Sequence, residues 1–173
     1  MNTTGTAARP LPRLLEWLTV HGVEYEVHRH DPAVTARATA RADGVDPRTF
    51  AKVVVVETDD GRRCLLVLDA TDHVDMLKAR HVLGATTVSL VDEPALAALA
   101  PDCELGAMPA VGALFGLPMY ADYAVREDPI IDFNAGSHAF AVRVDREAWA
   151  EMTGVAYADL ADRTAEGPAW LRS

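Results

Sequence analysis

Two runs of β-forming residues joined by a four-residue turn constrain this chain more than any other feature. Lys52 to Thr58 reads KVVVVET and Arg63 to Leu68 reads RCLLVL, with Asp59-Asp60-Gly61-Arg62 between them. Branched side chains sit well on a pleated surface, and an Asp-Gly pair tolerates the positive φ of a tight reversal. The two runs therefore fold as an antiparallel hairpin, and the other elements must be arranged around it.

Upstream, Pro12 opens a helix that places Leu11, Leu14, Leu15 and Leu18 on one face, with Gly22 as its stop. Tyr25 to His30 alternates like a half-buried strand, and Thr35 to Ala42 reads as a short helix. Downstream, Asp72 is expected to cap a helix carrying Val74, Leu77 and His81, ending at Gly84. Thr86 to Leu90 reads as a strand and Glu93 to Ala100 as a short helix. Gly106 to Pro118, GAMPAVGALFGLP, is too interrupted for either period and reads as a shaped loop. Met119 to Tyr123, Pro129 to Phe133 and His138 to Val144 read as strands, Asn134 to Ser137 as a turn, and the remainder as C-terminal helices. The fold class is α+β: a single domain with a mixed, mainly antiparallel sheet and flanking helices, lacking a regular βαβ repeat. The expected boundaries are a flexible N-terminus over 1–10, the domain over 11–165 and a tail over 166–173.

Composition narrows the function. Of 173 residues, 16 are Lys or Arg and 26 Asp or Glu, for a formal net charge of −10, which excludes a uniformly basic nucleic-acid binder. The acidity is uneven, because residues 29–80 hold nine basic and nine acidic residues. Arg37, Arg41, Arg48 and Lys52 thus lie on a neutral segment of an otherwise acidic chain. Cys64 and Cys103 form neither a metal-ligand pair nor a disulfide framework, which fits a reducing cytoplasm. No apolar stretch approaches membrane-spanning length, so no membrane association is expected.

Dinucleotide, P-loop, zinc-protease and serine-hydrolase motifs are absent. His28 and His30 share one side of a strand but lack a third ligand nearby, so no metal is expected. Lys52 is one of only two lysines. Its compact amine donates in three directions and is readily detuned by burial, although a snorkelling strand-end lysine fits the same position. In the loop from Gly106, glycine allows close backbone approach and proline rigidity, which together offer oriented N–H groups to an oxyanion. Asp132-Phe133-Asn134-Ala135-Gly136-Ser137-His138 gathers carboxylate, amide, hydroxyl and imidazole. It reads either as an ordinary hairpin turn or as a cluster that orients water or an amino group.

These residues together resemble a known family. His30 with Asp31-Pro32 and Thr35, Phe50-Ala51-Lys52-Val53-Val54-Val55, Gly106-Ala107-Met108-Pro109 continuing to Leu117-Pro118, and Asp132 to His138 occur in the order and spacing of the YbaK/ProX group. These are aminoacyl-tRNA deacylases similar to the editing insertion of bacterial prolyl-tRNA synthetases, and the likeness runs from about Leu14 to Asp162. The resemblance implies that Lys52 is essential for hydrolysis, with Gly106 as its catalytic partner. It also implies that His30, Ala107, Met108, Pro109, Asp132, Asn134, Gly136 and His138 bind substrate, Asp132 or His138 fixing the substrate amine or a water.

The implied activity is trans-editing: hydrolysis of the ester on a mischarged tRNA carrying a small amino acid such as alanine, serine or cysteine. No cofactor is expected. The implied partners are the tRNA acceptor end and an aminoacyl-tRNA synthetase, with the chain a monomer or homodimer. A non-catalytic aminoacyl-tRNA or protein-binding module of the same fold is the competing reading. A small-molecule esterase is a third.

Overall fold

The computed structural model describes residues 8–29 and 49–163. His30, the expected helix over Thr35 to Ala42, and Arg37, Arg41 and Arg48 lie outside the described residues.

The expected hairpin is present as β2 (Ala51–Thr58) and β3 (Arg63–Asp69), paired antiparallel from Ala51 opposite Asp69 to Glu57 opposite Arg63. At its turn the Gly61 N–H donates to Thr58 O at 2.9 Å, and Gly61 takes φ +80°. This hairpin is the centre of a five-stranded sheet in the order β4-β2-β3-β5-β8, where β4 is Val88–Leu90, β5 Met119–Asp122 and β8 Ala156–Ala158. β4 joins β2 antiparallel, whereas β5 runs parallel to both of its neighbours, β3 and β8. A second, antiparallel sheet has the order β1-β7-β6, from Tyr25–Arg29, Phe140–Asp145 and Ile130–Ser137. The protein is thus α+β, with its strands divided between two sheets.

Helix α1 (Pro12–Val20) begins at the expected proline and buries Leu14 and Leu18. Leu11 anchors its start, donating its N–H to Ala135 O at 2.8 Å. The main core fills the space between the two sheets, where Val55, Leu65, Val67 and Ala121 meet Ile131, Phe133, Val142 and Trp149. Trp149, wholly buried on α5 (Arg146–Thr153), donates its indole N–H to Ala110 O at 2.7 Å, satisfying the one polar atom of a large apolar ring. The other face of the five-stranded sheet buries Val56, Leu66 and Leu68 against α2 (Met76–Leu83) and Leu160.

Several local expectations are corrected. The cap of α2 is Asp75, not Asp72: its carboxylate accepts from Leu77 N at 2.9 Å and Lys78 N at 3.2 Å, while Val74 forms a bridge to Ala161 and is not helical. Asn134 to Ser137 is not a turn but the end of β6, where the register slips between Asn134 and Ser137 and Gly136 takes φ +80°. Two extra residues in β6, Ala135 and Gly136, make this bulge, and its glycine mimics turn composition. Tyr123 leaves β5 to start a single helical turn, α4 (Tyr123–Arg126), capped by Asp122. The C-terminal region holds one described helix followed by β8, whose three residues are too short to show a period. Helix α3 (Glu93–Leu99) is capped by Asp92, and the loop after it contains a 3-10 turn over Gly112–Phe115. No helix among the described residues is long and apolar enough to cross a membrane.

Candidate functional site

A cavity of about 210 Å³ opens beside β2. Val53, Val55, Leu96, Ala100, Cys103 and Met108 contribute apolar walls, and Gly106 lies at its rim. Cys103 is a wall and not a nucleophile, because burial, with Asp102 adding to it, pushes its thiol up to about 11.

The loop bearing Gly106 is held by the β6 bulge. Ala107 N donates to Glu104 O at 3.0 Å, closing a turn in which Gly106 takes φ +81°, a conformation favouring glycine. Glu104 N donates to Gly136 O and Gly136 N to Ala107 O, both at 2.9 Å. The Glu104 carboxylate accepts from His138 N at 2.9 Å and Ser137 Oγ at 3.2 Å. Gly136 is required on steric grounds as well, since a Cβ there would meet Leu11 Cβ at 2.8 Å.

His138 sets the direction of one peptide in this loop. Its Nε2 lies 2.6 Å from Leu105 O, and a carbonyl only accepts, so Nε2 carries the proton. In a trans peptide the C=O and the following N–H point opposite ways. With Leu105 O turned to His138, Gly106 N–H is turned away from it, and no hydrogen bond among the described residues engages that N–H. Ala107 N–H is already used within the turn. His138 therefore orients the Gly106 donor.

The other expected site residues separate into groups. Met108 joins Gly106 at the cavity, whereas Ala107 and Pro109 are buried and do not line it. Asp132 is fully buried and ion-paired with Arg143 at 2.8 Å. Through a bridge to Phe50, with Asp132 N donating to Thr49 O at 3.3 Å, it ties β6 to the start of β2. Asn134, 4% exposed, lies on the same strand with an unpartnered Oδ1. Lys52 follows Phe50 by two residues. It shares a sheet face with Val54 and Val56, opposite the face of Val53 and Val55, and does not line the cavity. Burial lowers its pKa, opposed by the charge of Asp72. No cluster of His, Cys, Asp or Glu among the described residues is arranged to hold a metal ion.

Sequence reasoning missed Glu104, Arg143 and the α3 wall. Glu104 stands two residues before Gly106, and its adjacency was the available signal. It also missed the acidic surroundings of Asp69, whose carboxyl is pushed up to about 7 by burial and then by the charges of Asp128, Asp72 and Asp122. With the folded value above the ordinary one, the bound proton stabilises the fold below about pH 4, and that contribution is lost as pH rises through about 7. Asp69→Asn should remove this dependence and gain on the order of 1–2 kcal/mol at pH 8, allowing for solvent screening. Urea unfolding at pH 5.5 and 8 checks it, and equal pH slopes for both proteins would contradict it.

Three comparisons place the chain among known proteins. A family model described as an aminoacyl-tRNA editing domain matches residues 30–152. No curated protein matches. Among solved structures, a candidate trans-editing enzyme for prolyl tRNA synthetase is 24% identical with a TM-score of 0.76, the match covering 87% of this chain and 95% of that one. A hypothetical protein is 17% identical with a TM-score of 0.79, covering 87% and 99%. A scaffold from computational epitope grafting is 26% identical with a TM-score of 0.76, covering 87% and 95%. These likenesses show the shared fold, and with the family model spanning most of its length, the chain belongs to the aminoacyl-tRNA editing domain family.

Proposed function

We propose that the protein is a trans-editing deacylase that hydrolyses the ester of a mischarged tRNA carrying a small amino acid. The observation that carries this reading is the Gly106 N–H, turned from His138 by the Leu105 carbonyl at the rim of a small apolar cavity. Water attacks the ester carbonyl carbon and the carbonyl oxygen becomes an oxyanion. The tetrahedral intermediate then collapses, expelling the ribose oxygen, which takes up the proton given up by the attacking water. An N–H already aimed at the developing charge stabilises it without reorganisation. Lys52, next to the cavity residue Val53 in β2, anchors the terminal ribose and phosphate, or the carbonyl. An aminoacyl ester is activated, so positioning and one or two donors suffice and no covalent intermediate is needed.

The cavity, about 210 Å³, is below the range of pockets for drug-sized ligands. Its apolar walls favour alanine and cysteine over serine, and exclusion of larger side chains by volume is the stronger filter.

The test is release of amino acid from a panel of charged tRNAs. Alanyl or cysteinyl esters on a non-cognate tRNA should be hydrolysed well above the spontaneous rate, and bulky aminoacyl esters should not. Intact esters retained in a gel shift with unchanged half-life would instead establish the binding-module reading. Activity on simple esters without tRNA would point to a small-molecule esterase.

A further inference from the structure

We propose that the open main-chain edge of β2 at Val53 binds the aminoacyl group as a one-residue strand, its C=O accepting from the α-ammonium and its N–H donating to the ester carbonyl. This rests on the deacylase reading above.

The direction of these groups follows from the hydrogen bonds on either side. Phe50 O accepts from Ala70 N at 2.7 Å, on the β3 side of the strand. Thr49 O accepts from Asp132 N at 3.3 Å and Val55 O from Val91 N at 3.0 Å, both on the opposite side. Main-chain groups alternate sides along a strand, so the N–H and C=O of Val53 point away from β3, as those of Val55 do. Among the described residues, β4 pairs on that side only from Val56 to Thr58, and β6 is bridged only to Phe50, just before β2, through Asp132. Val53 faces the gap between them, and no hydrogen bond among the described residues engages its peptide groups.

The gap opens onto the cavity. Val53, Val54 and Val55 line it together with Gly106, Leu90 and Val91. A peptide N–H and C=O beside apolar walls stay unsatisfied until a ligand or water meets them. An aminoacyl ester offers the complement: a cationic donor and a carbonyl acceptor on either side of one Cα, the arrangement through which a residue pairs across strands. Addition of a short extended ligand to a free strand edge gives affinity through main-chain bonds and leaves selectivity to side-chain pockets. Here the Val53 edge would fix the part common to all amino acids, while the α3 wall and Met108 measure the side chain.

The experiment compares two esters of one tRNA, alanyl and lactyl, which differ in carrying an α-ammonium or an α-hydroxyl. Rates are divided by the spontaneous hydrolysis of each ester. The wild-type protein should favour the alanyl ester at least tenfold. In addition, Val53→Pro removes an N–H that bonds no strand, which edge positions accept. It should melt near the wild type and lose at least tenfold on the alanyl ester. Equal corrected rates on the two esters, or full activity in a folded Val53→Pro protein, overturn the proposal. If Val53→Pro does not fold, the two esters on the wild-type protein still decide. If the wild type cleaves neither these nor any other aminoacyl ester, the deacylase reading itself falls, an outcome distinct from cleavage without discrimination.

Discussion

Lys52→Ala should lower deacylation at least a hundredfold while leaving the fold intact. The strand holding Lys52 is secured by its main-chain pairing with β3 and by Val53 to Val56, not by the amine. The effect expected is that of losing a placed donor from a reaction centre, about 10²–10³ in rate. Lys52→Arg should not restore activity, because a planar guanidinium cannot take the place of a compact amine on a short reach. Burial lowers the lysine pKa, with Asp72 opposing. If the ammonium is the working form, the rate should fall on the alkaline side at a pH below the ordinary lysine range as the proton is lost. The check is a pH profile of single-turnover deacylation, with thermal melts of both variants. Undiminished activity in a folded Lys52→Ala protein would show that the amine has no part in the chemistry.

Asp122→Ala should cost about 3–5 kcal/mol of stability, enough to unfold a marginal domain. Its carboxylate is wholly buried at the end of β5. Oδ2 accepts from Leu160 N and Ala161 N, each at 2.8 Å, and Oδ1 from Ala124 N at 2.9 Å and the Arg163 guanidinium at 2.6 Å. Burial alone would push the carboxyl up, but these donors outweigh it and hold the pKa below the usual value. The stabilisation is therefore present above the ordinary carboxylate range and is lost as pH falls through the folded value. Urea unfolding at neutral pH and at pH 3 measures both consequences. An Asp122→Ala midpoint within error of wild type at neutral pH would refute the assignment, and Asp122→Asn, which keeps one acceptor, should fall between the two.

The chain announces what is local and conceals what is made by distant partners. Asp59-Asp60-Gly61 marks its hairpin because the turn requirement is met by adjacent residues. Pro12 and Gly22 bracket α1 for the same reason. Asn134 to Ser137 misleads because Gly136 owes its conformation to Leu11 and to the Glu104–Ala107 turn, both far away in sequence. Asp72 reads as a cap on paper, and the bridge from Val74 to Ala161 is what delays the helix and gives the cap to Asp75. At the candidate site, the scarcity of lysine and the glycine-proline loop single out Lys52 and Gly106. The role of His138 as the group that turns the Leu105 peptide, and the bare edge at Val53, depend on which strands stop where, which no residue pattern encodes.

The order of the five-stranded sheet also sets the order of its assembly. β2 and β3 meet across a short turn, whereas Leu65 must find Met119 and Tyr120 must find Ala156. Closing such long loops costs entropy before any contact repays it, so parallel pairings of this kind form late. The hairpin bearing Lys52 is then an early structure. The Asp122 carboxylate remains in water until residues 160–163 arrive to receive it. Folding is paced by the far edge of the sheet, and a ribosome-bound chain would hold a paired β2 and β3 well before it could bury the Asp122 carboxylate.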